Sequence, residues 1–403
     1  MNGIKTEVQE KRVRYTWSDR LLGLRGNSLS FSFEFDISGV PEHVFNFIFG
    51  VFLMDSLVLT GKEIFFSELT KEEGYHLRRI LRSNFESKGC AGRAPGPCYP
   101  QVYAPEARAS SLSKGNRVVC ANGLGKDGLN VALLTKEMGY SPLCYTILNQ
   151  YWNRREVWEE RLRTIKGFYQ DEGIDHTFIE SNFFRITSSP IGFYPYVVGL
   201  VLAYVAGTNV ILDGIQIHNN KTRLSDGTFY CPGETYKVFN HVSEATGVIV
   251  SSPLRPLSNY GSQKLLAERW PDYLMYQRSC MYGLPWCGKC SKCNRKALYL
   301  EEMGVDPGSI LLPRYSYEKL RLDQYGPVCG SVLQVLAKHK GISYRTWIDG
   351  ANDHALRLIW NGDKLREIFS EHFHVYDEDP GPDGEGYTLN PSRWETVTGG
   401  KEN

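Results

Sequence analysis

Two periods organise the hydrophobic positions of this chain. Between residues 116 and 253, short apolar runs alternate with longer stretches whose apolar residues follow helical spacing. The runs "RVVCA" (117–121), "LCYTIL" (143–148), "HTFIE" (176–180), "NVILDG" (209–214) and "GVIVSSP" (247–253) have the length and composition of buried strands. "DGLNVALLTKEMG" (127–139), "NRREVWEERLRTIKGFYQ" (153–170) and the apolar stretch opening at residue 191 read as helices. This alternation predicts an α/β fold, a doubly wound parallel sheet with helices on both faces. In such sheets ligands gather beyond the carboxyl ends of the strands.

The first 110 residues are patterned differently. "SLSFSFEFDI" (28–37) alternates as a half-buried strand, "HVFNFIFGVFLMDSLVL" (43–59) is apolar enough for one long buried helix, and "TKEEGYHLRRILRSNF" (70–85) is a charged helix. An N-terminal α+β domain over 1–110 is the expectation. The Gly-, Pro- and Ser-rich stretch 86–115 reads as a linker. An α/β domain over 116–275, a cysteine-bearing and helical region over 276–375, and an irregular polar tail over 376–403 complete the expected order.

Charge and length narrow the function classes. Lys plus Arg (46) nearly cancel Asp plus Glu (45) in 403 residues, so no strong field draws the chain to nucleic acid or to an acidic membrane. The apolar segment 191–214 is interrupted by Pro195 and by Gly207-Thr208-Asn209, which predicts a buried helix followed by a buried strand rather than a membrane span. A cytoplasmic enzyme acting on a small ligand is expected, and the sequence leaves a homodimer open.

Ten cysteines are many for a reducing compartment unless some bind metal. Cys90, Cys98, Cys120, Cys144, Cys231 and Cys329 are scattered and read as small core residues. Cys280, Cys287, Cys290 and Cys293 cluster with spacing C-x6-C-x2-C-x2-C. Tetrahedral zinc takes four thiolates, and CxxC turns deliver them in pairs. A redox pair is the competing reading, but no thioredoxin-like pattern surrounds the cluster. Four protein ligands leave no open position, so the zinc is expected to be structural, with Lys289, Lys292, Arg295 and Lys296 offsetting the thiolate charge.

The segment "RVVCANGLGKDGLNVALL" places a glycine-bearing turn, Asn122-Gly123-Leu124-Gly125, between a strand and a helix that opens with Lys126, Asp127 and Gly128. Backbone N–H groups at a helix N-terminus bind anions, and Lys126 adds charge. A plain strand–turn–helix corner explains the turn without any ligand; its place after the first strand of the alternating region favours the functional reading. Neither the Walker spacing nor GxGxxG is present.

The turn resembles the SGGxDS loop of the ATP pyrophosphatases, with Gly123 replacing the first Ser, Leu124 the first Gly and Gly128 the last Ser, while Gly125, Lys126 and Asp127 fall in place. With the cysteine cluster downstream, the chain resembles the 7-cyano-7-deazaguanine synthases. It is more similar to the UDP-N-acetylmuramoyl-L-alanyl-L-glutamate epimerases, through "NGLGKDG" (122–128), "SPLRPLS" (252–258), "RSCMYGLPWCGKCSKC" (278–293) and "GPVCGSV" (326–332). That family's acidic segment after the buried strand survives only as "LDGIQIHNN" (212–220).

The resemblance implies ATP and Mg2+ as cofactors beside structural Zn2+, and a peptide or peptidyl nucleotide as substrate. Its carboxylate would attack the α-phosphate of ATP, and the activated residue would then be inverted at its α-carbon. Lys126 would carry phosphate charge, Gly125 admit close backbone approach, and Asp127 hold magnesium or the loop. His218, Glu234 and His241 are candidate proton-transfer groups in loops after strands, and Arg255 a candidate clamp for a carboxylate or phosphate, although each also fits an ordinary structural role. An amide- or nitrile-forming enzyme using ammonia or an amine is one alternative; a non-catalytic zinc-braced nucleotide-binding module is another.

Overall fold

A computed structural model describes residues 2–314 apart from 19–20, 22–23, 62, 88–100, 109–111, 113–115, 149–154, 187–194, 216–221, 224–228, 231–233, 255–258, 279 and 281–285. The strands are β1 (Asn2–Gln9), β2 (Arg12–Trp17), β3 (Ser28–Phe33), β4 (Ile64–Phe65), β5 (Val102–Tyr103), β6 (Arg117–Ala121), β7 (Ser141–Leu148), β8 (Asp175–Ser181), β9 (Val210–Leu212), β10 (Thr222–Arg223), β11 (Phe229–Tyr230) and β12 (Ile249–Ser251). The helices are α1 (Glu42–Phe52), α2 (Met54–Thr60), α3 (Lys71–Ser87), α4 (Lys126–Glu137), α5 (Arg155–Glu172), α6 (Phe183–Ile186), α7 (Pro195–Ala206), α8 (Glu234–Thr246), α9 (Asn259–Arg269) and α10 (Ser291–Glu302). The apolar runs picked out by the sequence pattern coincide with β6, β7, β8, β9 and β12. No helix among the described residues is long and apolar enough to cross a membrane; the most apolar, α7, has 12 residues.

The chain divides into two compact units. The first comprises Met1–Gly123, Thr135–Asp213 and Tyr236–Ser251; the second comprises Leu124–Leu134, Gly214–Thr235 and Ser252–Asn403.

Ten strands of the first unit form one sheet, ordered β12-β9-β6-β7-β8-β3-β2-β1-β4-β5. The pairs from β12 to β8 are parallel, the next three are antiparallel, and β1-β4 and β4-β5 are parallel again. In the parallel block β6 comes first in the chain yet lies in the middle, flanked by β7 and β9. Residues 1–110, expected as an α+β domain, supply β1 to β5 and continue this sheet. The join is the β3–β8 pair, in which Phe31 faces Ser181 and Phe33 faces Ile179. Glu34 adds to it by accepting from the Phe178 amide at 2.8 Å and from the Thr177 hydroxyl at 3.1 Å.

Burial explains the join. Strand β2 buries Val13, Tyr15 and Trp17, β3 buries Leu29, Phe31 and Phe33, and all are 5% exposed or less. Helix α1 is buried from His43 to Phe52, and its two polar residues in that span, His43 and Asn46, are hydrogen-bonded to Glu73 and to Ser67 and Glu68. The Tyr15 hydroxyl donates to the Phe45 carbonyl at 3.0 Å, its ring lies 4.9 Å from Phe49, and Phe52 meets Phe31 edge-on at 5.1 Å. The single helix expected over 43–59 is broken at Leu53, whose φ of −105° and ψ of 16° leave the helical region. The break costs no hydrogen bond there, since the Leu53 amide donates to Phe49 and its carbonyl accepts from Leu57, both at 3.0 Å. A bend without Gly or Pro leaves no trace in the hydrophobic pattern. Helix α3 starts with a capping box, the Glu73 amide donating to the Thr70 hydroxyl at 3.1 Å and the Glu73 carboxylate accepting from the Thr70 amide at 2.8 Å.

Cys120 and Cys144 face each other in register on β6 and β7, fully buried, as expected of core thiols. Cys90, Cys98, Cys231 and Cys329 lie outside the described residues. Phe49 is fully buried among Tyr15, Trp17 and Phe66. The expected result for Phe49→Ala is a loss of about 3–5 kcal/mol in urea unfolding, the usual cost of emptying an aromatic core site.

Candidate functional site

Asn122, Gly123, Leu124 and Gly125 lead from β6 into α4. In the first unit the leading end of this turn is tied down. The Asn122 amide donates to Tyr145 at 2.9 Å, its carbonyl accepts from the Thr146 hydroxyl at 2.5 Å, and the Gly123 carbonyl accepts from Arg161 at 3.2 Å.

The rest belongs to the second unit. Leu124 has φ 56° although its side chain is fully buried. The left-handed backbone costs about 1–2 kcal/mol for a residue with a Cβ, which burial of the leucine side chain, about 1.5–3 kcal/mol, offsets. The Leu124 carbonyl accepts from the Arg278 amide at 2.6 Å. Helix α4 then opens with Lys126, 3% exposed, whose ammonium pairs with Asp127 Oδ1. The same oxygen accepts from the Ser262 hydroxyl at 2.6 Å, and Asn130 Nδ2 donates to the Ser262 carbonyl at 2.7 Å and hydroxyl at 3.0 Å. Ser262 lies on α9, so two helices share one polar network. Gly128 follows in the first turn of α4.

Gly214 closes this network from another direction. A Cβ there would lie 2.7 Å from Asp127 Cβ and 3.1 Å from its carbonyl carbon. The approach admits only glycine.

A second buried cation completes the group. Lys296 on α10 is 4% exposed; its ammonium donates to Gln277 Oε1 and lies 5.5 Å from the centre of the Trp286 ring. Burial drives the Lys296 ammonium well below the usual lysine range, and the Lys126 charge adds to the shift against the pull of Asp127. Lys126 is lowered by burial too, opposed by Asp127 and reinforced by Arg295 and Lys292. For Asp127 burial raises the carboxyl, but Lys126 and the hydrogen bonds from Lys126 and Ser262 outweigh it and leave the group below the usual carboxylate range. Asp127 is therefore the carboxylate that acts on both lysines. Gln277 Nε2 and both amide atoms of Gln263 are buried with no hydrogen-bond partner among the described residues. Two ammonium groups, one carboxylate and spare amide donors suit an anion with several oxygens.

The thiol cluster stands on the same chain segment. The sulfurs of Cys280, Cys287, Cys290 and Cys293 lie within 4.8 Å of one another, with Cys287 3.8 Å and Cys290 3.4 Å from Cys293. Zinc–sulfur bonds of about 2.3 Å place tetrahedral sulfurs about 3.8 Å apart, so a metal such as zinc fits. Backbone amides point at the sulfurs: Cys287 at Cys280 (3.3 Å), and Lys289 (3.4 Å) and Cys290 (3.3 Å) at Cys287. The turn requires Gly288, at φ 63°, where a Cβ would meet Pro313 at 2.6 Å. Cys290 caps α10 in extended conformation, and its carbonyl accepts from Asn294 at 3.2 Å. The Cys280 thiol pushes Cys290 up to about 11, so a metal must displace bound protons to enter.

The sequence-derived site residues are placed unevenly. Lys126, Asp127, Gly125, Leu124 and Gly128 share the second unit with the four cysteines. Asn122, Gly123 and His241 belong to the first unit. His241 lies on α8, its Nδ1 3.1 Å from Nδ1 of His76 on α3. Glu234 opens α8, with its side chain outside the described residues, and His218 and Arg255 lie outside them altogether. Sequence reasoning missed the burial of Lys296 and the part of Gln277. The former had a signal: Lys296 follows Cys293 by one helical turn, so a metal-fixed Cys293 fixes it as well. Lys296 was expected to offset thiolate charge; its ammonium instead bonds Gln277. No protein-family model matches the chain, and no curated protein matches it.

Two outcomes are expected. Gly214→Ala should push the start of α4 out of place, costing about 1–3 kcal/mol in denaturant unfolding. Cys290→Ser should bind no zinc at the thiol cluster, read as loss of the thiolate-to-metal absorption of the cobalt-substituted protein, and should melt at lower temperature than the parent.

Proposed function

We propose that this chain is an ATP-dependent enzyme that adenylates a carboxylate of a peptide or peptidyl nucleotide, releasing pyrophosphate, and inverts the adjacent α-carbon. One observation carries the reading: Lys126 and Lys296 are both buried, and among the described residues Asp127 is the carboxylate that opposes the shift of each. Buried charge of one sign calls for a counterion, and the phosphates of a nucleotide provide it.

Three further observations support it. The parallel block β12-β9-β6-β7-β8 has the strand order of a doubly wound nucleotide-binding sheet. The chain leaves β6, the first strand of that block, directly into the turn that opens α4. Leu124 stands where the resembled ATP pyrophosphatase loop has glycine, yet it keeps a left-handed backbone. That conformation is the one glycine adopts most readily, so the turn is compatible with a glycine pattern. Lys296, on the helix that follows the cysteine turn, offers a phosphate charge that Gly123 and Gly128, which have no hydroxyl, cannot supply.

The residues divide the work as follows. Lys126 and Lys296 hold the β- and γ-phosphates and neutralise the charge that builds as pyrophosphate departs. Gln277 Nε2 adds a neutral donor. Asp127, fixed by Ser262, sets the position of Lys126 and offers a carboxylate to magnesium, which supplies further neutralisation of the phosphates. A substrate carboxylate oxygen attacks the α-phosphorus as the bond from that phosphorus to the bridging oxygen breaks. The mixed anhydride so formed acidifies the α-hydrogen; removal of that proton, its return on the opposite face and attack by water give the inverted acid and AMP.

Pyrophosphate release in the presence of ATP, magnesium and a panel of glutamate-terminated peptides and peptidyl nucleotides tests the reading, with solvent deuterium entering the α-carbon as its signature. Lys126→Ala is expected to slow release at least about 100-fold, and Lys296→Met, which keeps the side-chain length, should do the same with the fold intact by circular dichroism. Release that survives both substitutions unchanged sinks the proposal. Turnover only with ammonia or an amine assigns the chain to amide or nitrile synthesis instead.

A further inference from the structure

The first unit contains a group of metal-binding side chains that the phosphate chemistry does not use. His76 is on α3, and His241 and Glu244 are one turn apart on α8, a spacing that puts both on one face of the helix. The ligand atoms form a small triangle. His76 Nδ1 is 3.1 Å from His241 Nδ1 and 3.3 Å from Glu244 Oε2, and Glu244 Oε2 is 3.7 Å from His241 Nδ1. Zinc bound by imidazole and carboxylate at about 2.0–2.1 Å sets its ligand atoms about 3.3–3.4 Å apart. The observed edges bracket that value, and a point about 2.0–2.1 Å from all three atoms lies just outside their plane. The two imidazoles are shielded, with side chains 12% and 15% exposed, while Glu244 is 61% exposed. Metal therefore has an entry route over the carboxylate.

We propose that His76, His241 and Glu244 form a second site for a divalent transition metal of the zinc class, separate from the thiol cluster, with a fourth position left for water. The two sites differ in chemistry. Four thiolates enclose an ion completely, whereas two neutral imidazoles and one carboxylate bring a single negative charge to the ion and leave one position open to exchange. The site joins helices whose ligands are 165 residues apart in sequence, so an ion there stabilises the first unit by closing a long loop. His241, expected as a proton-transfer group on sequence grounds, is assigned to this site.

The full-length protein, saturated with Zn2+ and freed of excess, should hold two equivalents by elemental analysis. His241→Ala and Glu244→Gln should each hold one, retained by the cysteines. In the cobalt-substituted protein both variants should keep the thiolate-to-metal band, and Cys290→Ser should keep the weak ligand-field bands of the nitrogen and oxygen site. By competition with a chelator, Glu244→Gln should bind the second ion at least about tenfold more weakly; its conservative shape guards against a folding defect. One equivalent in the parent and in both variants alike, or two equivalents unaffected by either substitution, overturns the assignment.

Discussion

Taking an ammonium group out of water costs several kcal/mol, and the second unit does so twice around one carboxylate. Burial shifts both lysines toward their neutral forms, the Lys126 charge adds to the shift of Lys296, Arg295 and Lys292 add to that of Lys126, and Asp127 only partly compensates. Other features of the unit follow from holding that arrangement together. Ser262 fixes Asp127, Asn130 fixes Ser262, Gly214 leaves the space that lets Asp127 sit there, and Gln277 engages the second ammonium. The proposed polyphosphate ligand would offset part of that cost.

The thiol cluster gains a purpose in this light. Residues 286–296 contain too few apolar side chains to fold by burial alone, and a metal on Cys287, Cys290 and Cys293 ties both the turn and the first turns of α10. Lys296 lies one turn beyond Cys293, and Tyr299 of the same helix packs edge-on against Tyr260 of α9 at 5.3 Å. Helix α9 also carries Ser262. A metal held there would brace the helix that carries the second buried cation.

Much of this was legible from residue patterns and some of it was not. Strands β6, β7, β8, β9 and β12 are short apolar runs, and helices α3, α4 and α5 show their spacing plainly; the four cysteines announce their geometry through CxxC turns. The split of the apolar helix at Leu53 was silent, because the bend keeps its hydrogen bonds and uses no special residue. The union of the N-terminal strands with the parallel block was silent too, since the β3–β8 pairing joins residues about 150 apart and pattern reading is local. Lys126 was found from its place at a helix start, but Lys296 looked like one more lysine in a basic loop. Its burial depends on the packing of α10, which only the folded chain shows. His76 lacked any local cue, since its partners come from a helix far along the sequence.

The sheet has one more consequence, which concerns its borders. Among the described strands it ends in β12, three residues long, and β5, two residues long. At the second border the aromatic rings of Phe65 and Tyr103 stack at 4.9 Å, and Tyr103 is 45% exposed. A ribbon ten strands wide with long bare margins would recruit other copies edge to edge and grow into fibrils. Stubs this short offer too few unpaired amides to template such growth, so the breadth gained by merging two blocks of strands comes without the hazard of self-assembly.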